Sequence, residues 1–382
     1  MSAEAIGESL LAEVREESLN ELLNDFNKTY PHRKPTNLGI EPLDELLQIF
    51  HGGSAQPRPD RGDPSERTAA DIGQRRAELN KETVVEITSP YSGCGKSHLL
   101  YYMVAIAILP PSFNDIALNG AESAVVFLDT DGRFDVYRLR DIMVDIVRHK
   151  SPHPPGTAES GTSIREVEAM IRDCLHHIHL FRPQSSESLL STINNLEHHL
   201  LHSTDHVSTN RPLHSILLDS ANTFYWQDRF QDDFARISTS ATGPTTQRHK
   251  RPQKQAIKHS LRNLQMLFSC AVIYTTWGLS PQSRHQAGVL SFPPWWHDFP
   301  TLRLVVDRDT IRPFGSDMTV DEALRDAQVR HAVVSKGKFS GWVNPWGKNE
   351  WASDIPEQLS RTEGKGLFSF WITRDGVAFD QR

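Results

Sequence analysis

Cysteine is scarce in this 382-residue chain: Cys94, Cys174 and Cys270 lie far apart in sequence and match neither a zinc nor a redox spacing. A reducing compartment, cytosol or nucleus, is the expected setting. Long apolar runs are missing as well, since nothing approaches the about 18 consecutive apolar residues of a membrane span. The opening MSAEAIGESLLAEVREE has neither a basic nor an apolar leader segment, so secretion is not expected. There is no basic excess either. A net charge of −7 argues against a protein that coats nucleic acid or an anionic membrane over its whole surface. The hydrophobic fraction, 38%, is low for a globular chain, so part of the sequence should lie outside a packed core. The length allows two or three domains, or one open α/β domain with insertions.

What is there is ordered along the chain. Residues 4–27 carry Leu10, Leu11, Val14, Leu19, Leu22, Leu23 and Phe26 at helical spacing, which predicts an N-terminal helical extension over residues 1–36. NLGIEPLDELLQIFHGG then reads as a turn and a short helix ending at Gly52–Gly53. Residues 51–80 are polar and rich in Pro, Gly and charge, the composition of a disordered insertion. From residue 83 short apolar runs alternate with helical patterns. The strands expected are TVVEIT (83–88), SAVVFLDT (123–130), HIHLFRP (177–183), HSILLDS (214–220), AVIYTTW (271–277), LRLVVDR (302–308), LFSFWIT (367–373) and GVAF (376–379). Helices are expected over Ser97–Leu109, Phe134–Arg148 and around Ser186–Leu201. Such alternation predicts a mostly parallel sheet buried on both faces, with residues 37–382 forming one α/β core. Two stretches, 228–258 and 278–300, read as long irregular loops that follow strand ends, the edge where open α/β sheets bind ligands.

The strongest chemical signal is SPYSGCGKS at 89–97, set between an apolar strand and an apolar helix. A phosphate loop needs glycines so that successive N–H groups turn toward phosphate oxygens, with a helix N-terminus behind them. The candidate nucleotide-binding residues are Ser92, Gly93, Cys94, Gly95, Lys96, Ser97 and His98. Gly93 and Gly95 give the backbone freedom, Lys96 would reach the β- and γ-phosphates, and Ser97 would ligate magnesium. The strict G-x-x-x-x-G-K-[ST] pattern fails, because Pro90 stands where its first Gly belongs. A second magnesium-side carboxylate should end an apolar strand, and Asp219 in SILLDS does so. Asp129 and Asp131 in FLDTDGRFD are candidates for orienting and deprotonating water, or simply strand-end turn residues.

Taken in order, NLGIEPLDELL, the Gly-Cys-Gly-Lys-Ser loop, VVFLDTDGRFDVYRLRDIM, HLFRPQSSESLL and ILLDSANTFYWQDR resemble the RecA-like recombinase superfamily, and within it the eukaryotic recombinase paralogues. The likeness runs over residues 37–277, thins toward 380 and leaves 51–80 unexplained. It implies a RecA-like P-loop ATPase core with antiparallel C-terminal strands that binds ATP and Mg2+. It also implies a nuclear subunit of a homologous-recombination repair complex, with other recombinase paralogues, especially the D-type, and single-stranded or branched DNA as partners. The family's catalytic Glu falls on Asp131, one methylene shorter, and its γ-phosphate-sensing Asn-Gln pair falls on Thr276–Trp277. Catalysis tolerates only about an ångström of misplacement, so ATP binding with weak or absent hydrolysis is expected. An active DNA-dependent ATPase that remodels recombinase filaments is the alternative. A small-molecule kinase is disfavoured because no acceptor lid is recognisable.

The family's first DNA-binding loop corresponds to a basic cluster, with Arg248, Lys250, Arg251, Lys254 and Lys258 as candidate phosphate contacts, or else a solvated loop. Trp295 and Trp296 are candidates for stacking on bases, or for folding back on the sheet. His176, His177, His179, His198 and His199 have no carboxylate or Cys alongside and do not read as a metal site. Cys94 reads as a buried thiol, and Trp342, Trp346 and Trp351 as packing or partner-facing aromatics.

Overall fold

A computed structural model of the chain describes residues 37–52, 83–151, 163–202, 206–240, 251–277, 296, 298–309, 315, 317–345 and 351–379, with backbone alone for 235–240 and 251–253. In chain order the elements are α1 (Glu41–Gly52), β1 (Val84–Ser89), α2 (Lys96–Ile108), a small hairpin β2 (Ser112–Phe113) and β3 (Ile116–Ala117), and β4 (Ala124–Asp129). Next come α3 (Val136–Lys150), α4 (Ile164–Leu175), β5 (Ile178–Phe181), α5 (Ser186–Leu201), β6 (Leu213–Asp219), α6 (Tyr225–Ser240) and α7 (Arg251–Phe268). The chain continues through β7 (Ala271–Trp277), β8 (Leu302–Arg308), α8 (Val320–Ser335), β9 (Lys338–Val343), α9 (Ile355–Arg361), β10 (Leu367–Ile372) and β11 (Val377–Phe379).

Nine strands form one sheet in the order β11-β10-β9-β8-β1-β7-β6-β4-β5. The six strands from β8 to β5 run parallel, and β9, β10 and β11 extend the sheet antiparallel. This is the mostly parallel α/β sheet that the apolar runs predict, and it is consistent with the RecA-like core that the resemblance implies. Side-chain alternation along the strands explains why both faces are buried. Val85, Ile87, Val125, Phe127, Leu217 and Ile273 pack under α1, α2, α3, α4 and α9. Val84, Val126, Leu128, Ile216, Leu218, Val272 and Tyr274 pack under α5, α7, Trp296 and Phe299. Register then brings the strand ends level: Ser89 pairs with Trp277, and Asp129 with Asp219.

Several expectations need correction. Residues 228–258 are not one long loop. Helix α6 runs to Ser240 and α7 starts at Arg251, while 241–250 lie outside the described residues. The reason is amphipathicity: Ile257, Leu261, Leu264 and Leu267 recur at helical spacing and are buried. His51 and Gly52 end α1 rather than begin an insertion, and 53–82 lie outside the described residues, as do 1–36. In the 278–300 stretch, 278–295 and 297 are outside the described residues, but Trp296 is buried against Tyr274 (ring centroids 4.8 Å apart) and Phe299 (5.6 Å). Folding back on the sheet removes Trp296 from base stacking. Trp351 packs edge-on against Phe50 at 5.3 Å, and Trp346 is outside the described residues.

Candidate functional site

The phosphate-loop residues, the Asp219 carboxylate and the 130–135 turn meet at the C-terminal edge of the parallel strands. They line a cleft of about 920 Å³. The loop connects β1 to α2, whose N-cap is Gly95 with φ 88°. No side chain caps this helix, so its first-turn N–H groups are left for a ligand. Gly95 is required twice over: its φ is left-handed, and a Cβ there would come within 2.9 Å of Ile372 and 3.2 Å of the Phe339 and Phe370 rings. Gly93, at φ 79°, has open space where a Cβ would stand. Pro90 and Tyr91 line the cleft without filling it, and Tyr91 is exposed.

Ser97 Oγ donates to Asp219 Oδ2 at 2.7 Å, and Thr275 Oγ1 donates to Asp219 Oδ1 at 2.5 Å. Desolvation pushes the Asp219 pKa up; the two hydroxyl donors, and then the Lys96 charge, oppose that rise, while Asp131 adds to it. Lys96 is shifted downward by desolvation, against the pull of Cys94, Asp219 and Asp131. Its Nζ donates to Ser89 Oγ at 2.5 Å. The Cys94 thiol is buried and donates to Asp307 Oδ1 at 3.3 Å, which ties the loop to β8; burial, and then Asp307, raise its pKa. His98 lines the cleft and is held below the usual imidazole range by desolvation and the Arg138 charge. Ser92 lines the cleft as well.

The two acidic candidates at the end of β4 separate. Asp129 is buried, accepts the N–H groups of Arg133 and Phe134 at 3.0 Å each, and pairs with Arg182 at 3.1 Å. It braces the turn and does not line the cleft. Asp131 does line it, and its Oδ1 accepts from Thr223 Oγ1 at 2.6 Å. That Thr belongs to a hydroxyl network with Thr130 (3.0 Å) and Ser220 at the tips of β4 and β6. Thr276 points away from the cleft and donates to the buried Glu86 at 3.1 Å, whereas Trp277 borders the cleft.

Of the five basic candidates, the two whose side chains are described each lie beside a carboxylate. Lys254 sits 3.3 Å from Asp228, and Lys258 sits 2.6 Å from Asp298. Arg248 and Lys250 are outside the described residues, and Arg251 is placed by its backbone as the first residue of α7. His179 and His199 share a hydrogen bond of 3.1 Å beside His206, and no group of three metal-ligating side chains occurs among the described residues. Cleft residues missed by sequence reasoning include Thr223, Arg133, Arg138 and Arg308. Thr223 and Arg133 follow strand ends, Arg308 is the last residue of β8 and Arg138 lies in the first turn of α3, so nearness to the strand ends is the signal they share.

The Ser97–Asp219 pair, the uncapped helix and the open cradle fit a magnesium-bound nucleotide, and Ser97 and Asp219 are the side chains that would hold the metal. The sheet defines a mixed α/β protein consistent with a RecA-like core, with the loop and the carboxylate at its C-terminal strand edge. No protein-family model matches the chain. Over 138 residues it is 34% identical to DNA repair protein XRCC2 of Mus musculus, covering 36% of this chain and 39% of that one. Over 205 residues it is 26% identical to the DNA repair protein XRCC2 homolog of Arabidopsis thaliana, covering 49% and 54%. DNA repair protein RAD51 homolog 2 of Mus musculus is 33% identical over 121 residues, covering 31% and 28%. The matches thus span from 28% to 54% of these relatives' own length. Over these partial stretches the chain is similar to proteins named XRCC2 and RAD51 homolog 2, which are recombinase paralogues.

Proposed function

We propose that this chain is an ATP-binding subunit of a DNA-repair assembly of recombinase paralogues, with weak or absent hydrolysis of its own. One observation carries the nucleotide reading: the Gly-flanked loop places Lys96 beside the cleft, and Ser97 lies 2.7 Å from the Asp219 carboxylate at the facing strand end. Lys96 and the first-turn N–H groups of α2 hold phosphate oxygens. Magnesium, held by Ser97 and Asp219, supplies neutralisation of phosphate charge when bound. The repair role draws on the relatives named for DNA repair, and it brings the nucleus as location and other paralogues, the D-type foremost, with single-stranded or branched DNA as partners.

Weak turnover is supported by Asp131. A water-activating base must reach the attacking water, and Asp131 is one methylene shorter than the Glu expected there, with its Oδ1 turned to Thr223. The bulky Trp277 at the cleft offers one indole donor in place of an amide. Both observations favour an ATP-holding adaptor over a filament-remodelling ATPase. Equilibrium titration with a fluorescent ATP analogue, beside steady-state phosphate release, tests this. The wild-type chain should bind and Lys96→Ala should not, with phosphate release from both alike. Turnover as fast as that of an active recombinase, abolished by Lys96→Ala, would overturn the adaptor reading.

A further inference from the structure

Ser89 ends β1 and is fully buried, at a place where a phosphate-loop pattern asks for no hydroxyl. Its Oγ donates its single hydrogen to the Tyr91 carbonyl at 2.6 Å. The remaining lone-pair side of the same oxygen accepts from Lys96 Nζ at 2.5 Å. One hydroxyl therefore does two things: it pins the turn that opens the loop, and it holds the tip of the lysine seven residues further along the chain.

The consequence lies in what else attracts the lysine. An ammonium in a partly desolvated cleft seeks acceptors, and the Asp219 and Asp131 carboxylates both act on Lys96. Asp219 is also the carboxylate that faces Ser97. If Lys96 swung onto Asp219, the ion pair would remove the phosphate-binding cation and the metal-binding anion together. A glycine at position 89 would offer no side-chain acceptor to prevent this.

We propose that Ser89 is a positioning residue that holds the Lys96 ammonium away from Asp219 and Asp131, keeping the lysine available to phosphate and the carboxylate available to magnesium. This rests on the nucleotide-binding reading above. Ser89 acts through Lys96 and touches no nucleotide itself.

The test is titration of the full chain with a fluorescent ATP analogue at a series of Mg2+ concentrations, using wild type, Ser89→Ala, Ser89→Gly, Ser89→Thr and Lys96→Ala. Losing a hydrogen bond to a charged group should weaken ATP binding roughly tenfold in Ser89→Ala. The Mg2+ concentration at half-maximal binding should rise in the same variant, because Lys96 then competes for Asp219; a general loosening of the fold would not move that midpoint. Ser89→Gly, which adds no volume, should show both changes, and Ser89→Thr, which keeps the hydroxyl, should stay near wild type. Wild-type affinity and an unmoved Mg2+ midpoint in Ser89→Ala and Ser89→Gly would overturn the proposal. So would equal losses in Ser89→Thr and Ser89→Ala. No binding by wild type, or undiminished binding by Lys96→Ala, would instead overturn the nucleotide reading and this inference with it.

Discussion

Glu86 shows how a single side chain carries charge through the middle of the sheet. It lies on β1, fully buried, with Oε1 accepting from Thr276 on β7 and Oε2 in an ion pair with Arg303 of β8 at 3.3 Å. Burial pushes its carboxyl up to about 7, against the opposing pull of Arg303 and Thr276. The folded pKa is thus above the usual 4.5, so the folded chain holds this proton after the unfolded chain has lost it. Its contribution to stability is fully present below about pH 4.5 and is lost as pH rises through about 7. Glu86→Gln keeps an acceptor for Thr276 but cannot titrate. Denaturant unfolding at pH 5 and pH 8 should show wild type losing on the order of 1–3 kcal/mol more than Glu86→Gln between the two values. Equal losses would mean that Glu86 stays ionised in the fold.

Among the elements, β4 is where site and core are joined. Phe127 points into the layer under α2 and α3, in ring contact with Phe134 at 4.8 Å and Tyr101 at 6.2 Å. Tyr101 in turn receives the Asp135 N–H at 2.9 Å and donates to the Arg133 carbonyl at 3.3 Å, which fixes the turn that presents Asp131. Phe127→Ala should therefore cost about 3–5 kcal/mol, read as a lower urea midpoint with an unchanged m-value. A cost under about 1 kcal/mol would show that the layer collapses around the missing ring. The α3 helix adds a second tie across the molecule, since Arg138 donates to the carbonyls of Thr373, Arg374 and Gly376 at the β10–β11 turn. An arginine at the cleft edge thereby binds the C-terminal strands to the cleft side of the sheet.

For the whole molecule, the charge balance bears on nucleic-acid binding. Each phosphate contact on a single strand contributes about 0.7 to the slope of log affinity against log salt, so five cations would give about 3.5. With Lys254 held by Asp228 and Lys258 by Asp298, the isolated chain should bind single-stranded DNA weakly, with a slope below about 2. Fluorescence anisotropy across a salt series measures this directly. A slope near 3.5 that collapses on charge reversal of Lys254 and Lys258 would restore all five residues to the DNA surface.

Eight of the sheet's nine strands and the place of the Gly-Cys-Gly-Lys-Ser loop were legible in residues alone, because short β-branched runs, that turn and an apolar helix are local patterns with local causes, whereas β9 and the order of strands across the sheet were not. Asp219 was legible for the same reason, as the polar end of an apolar run. Helix α7 was obscured because charged and polar residues dominate its composition, and only packing against the sheet shows which face is buried, whereas none of the described α6 side chains is buried. The roles of Asp129 and Asp131 looked interchangeable two residues apart until the turn was closed, when one became its brace and the other lined the cleft. Likewise Lys254 and Lys258 read as free cations until helix packing set carboxylates from distant positions beside them. Periodicity and turn chemistry act between near neighbours, whereas desolvation, ion pairing and the aim of a side chain depend on residues that only folding brings together.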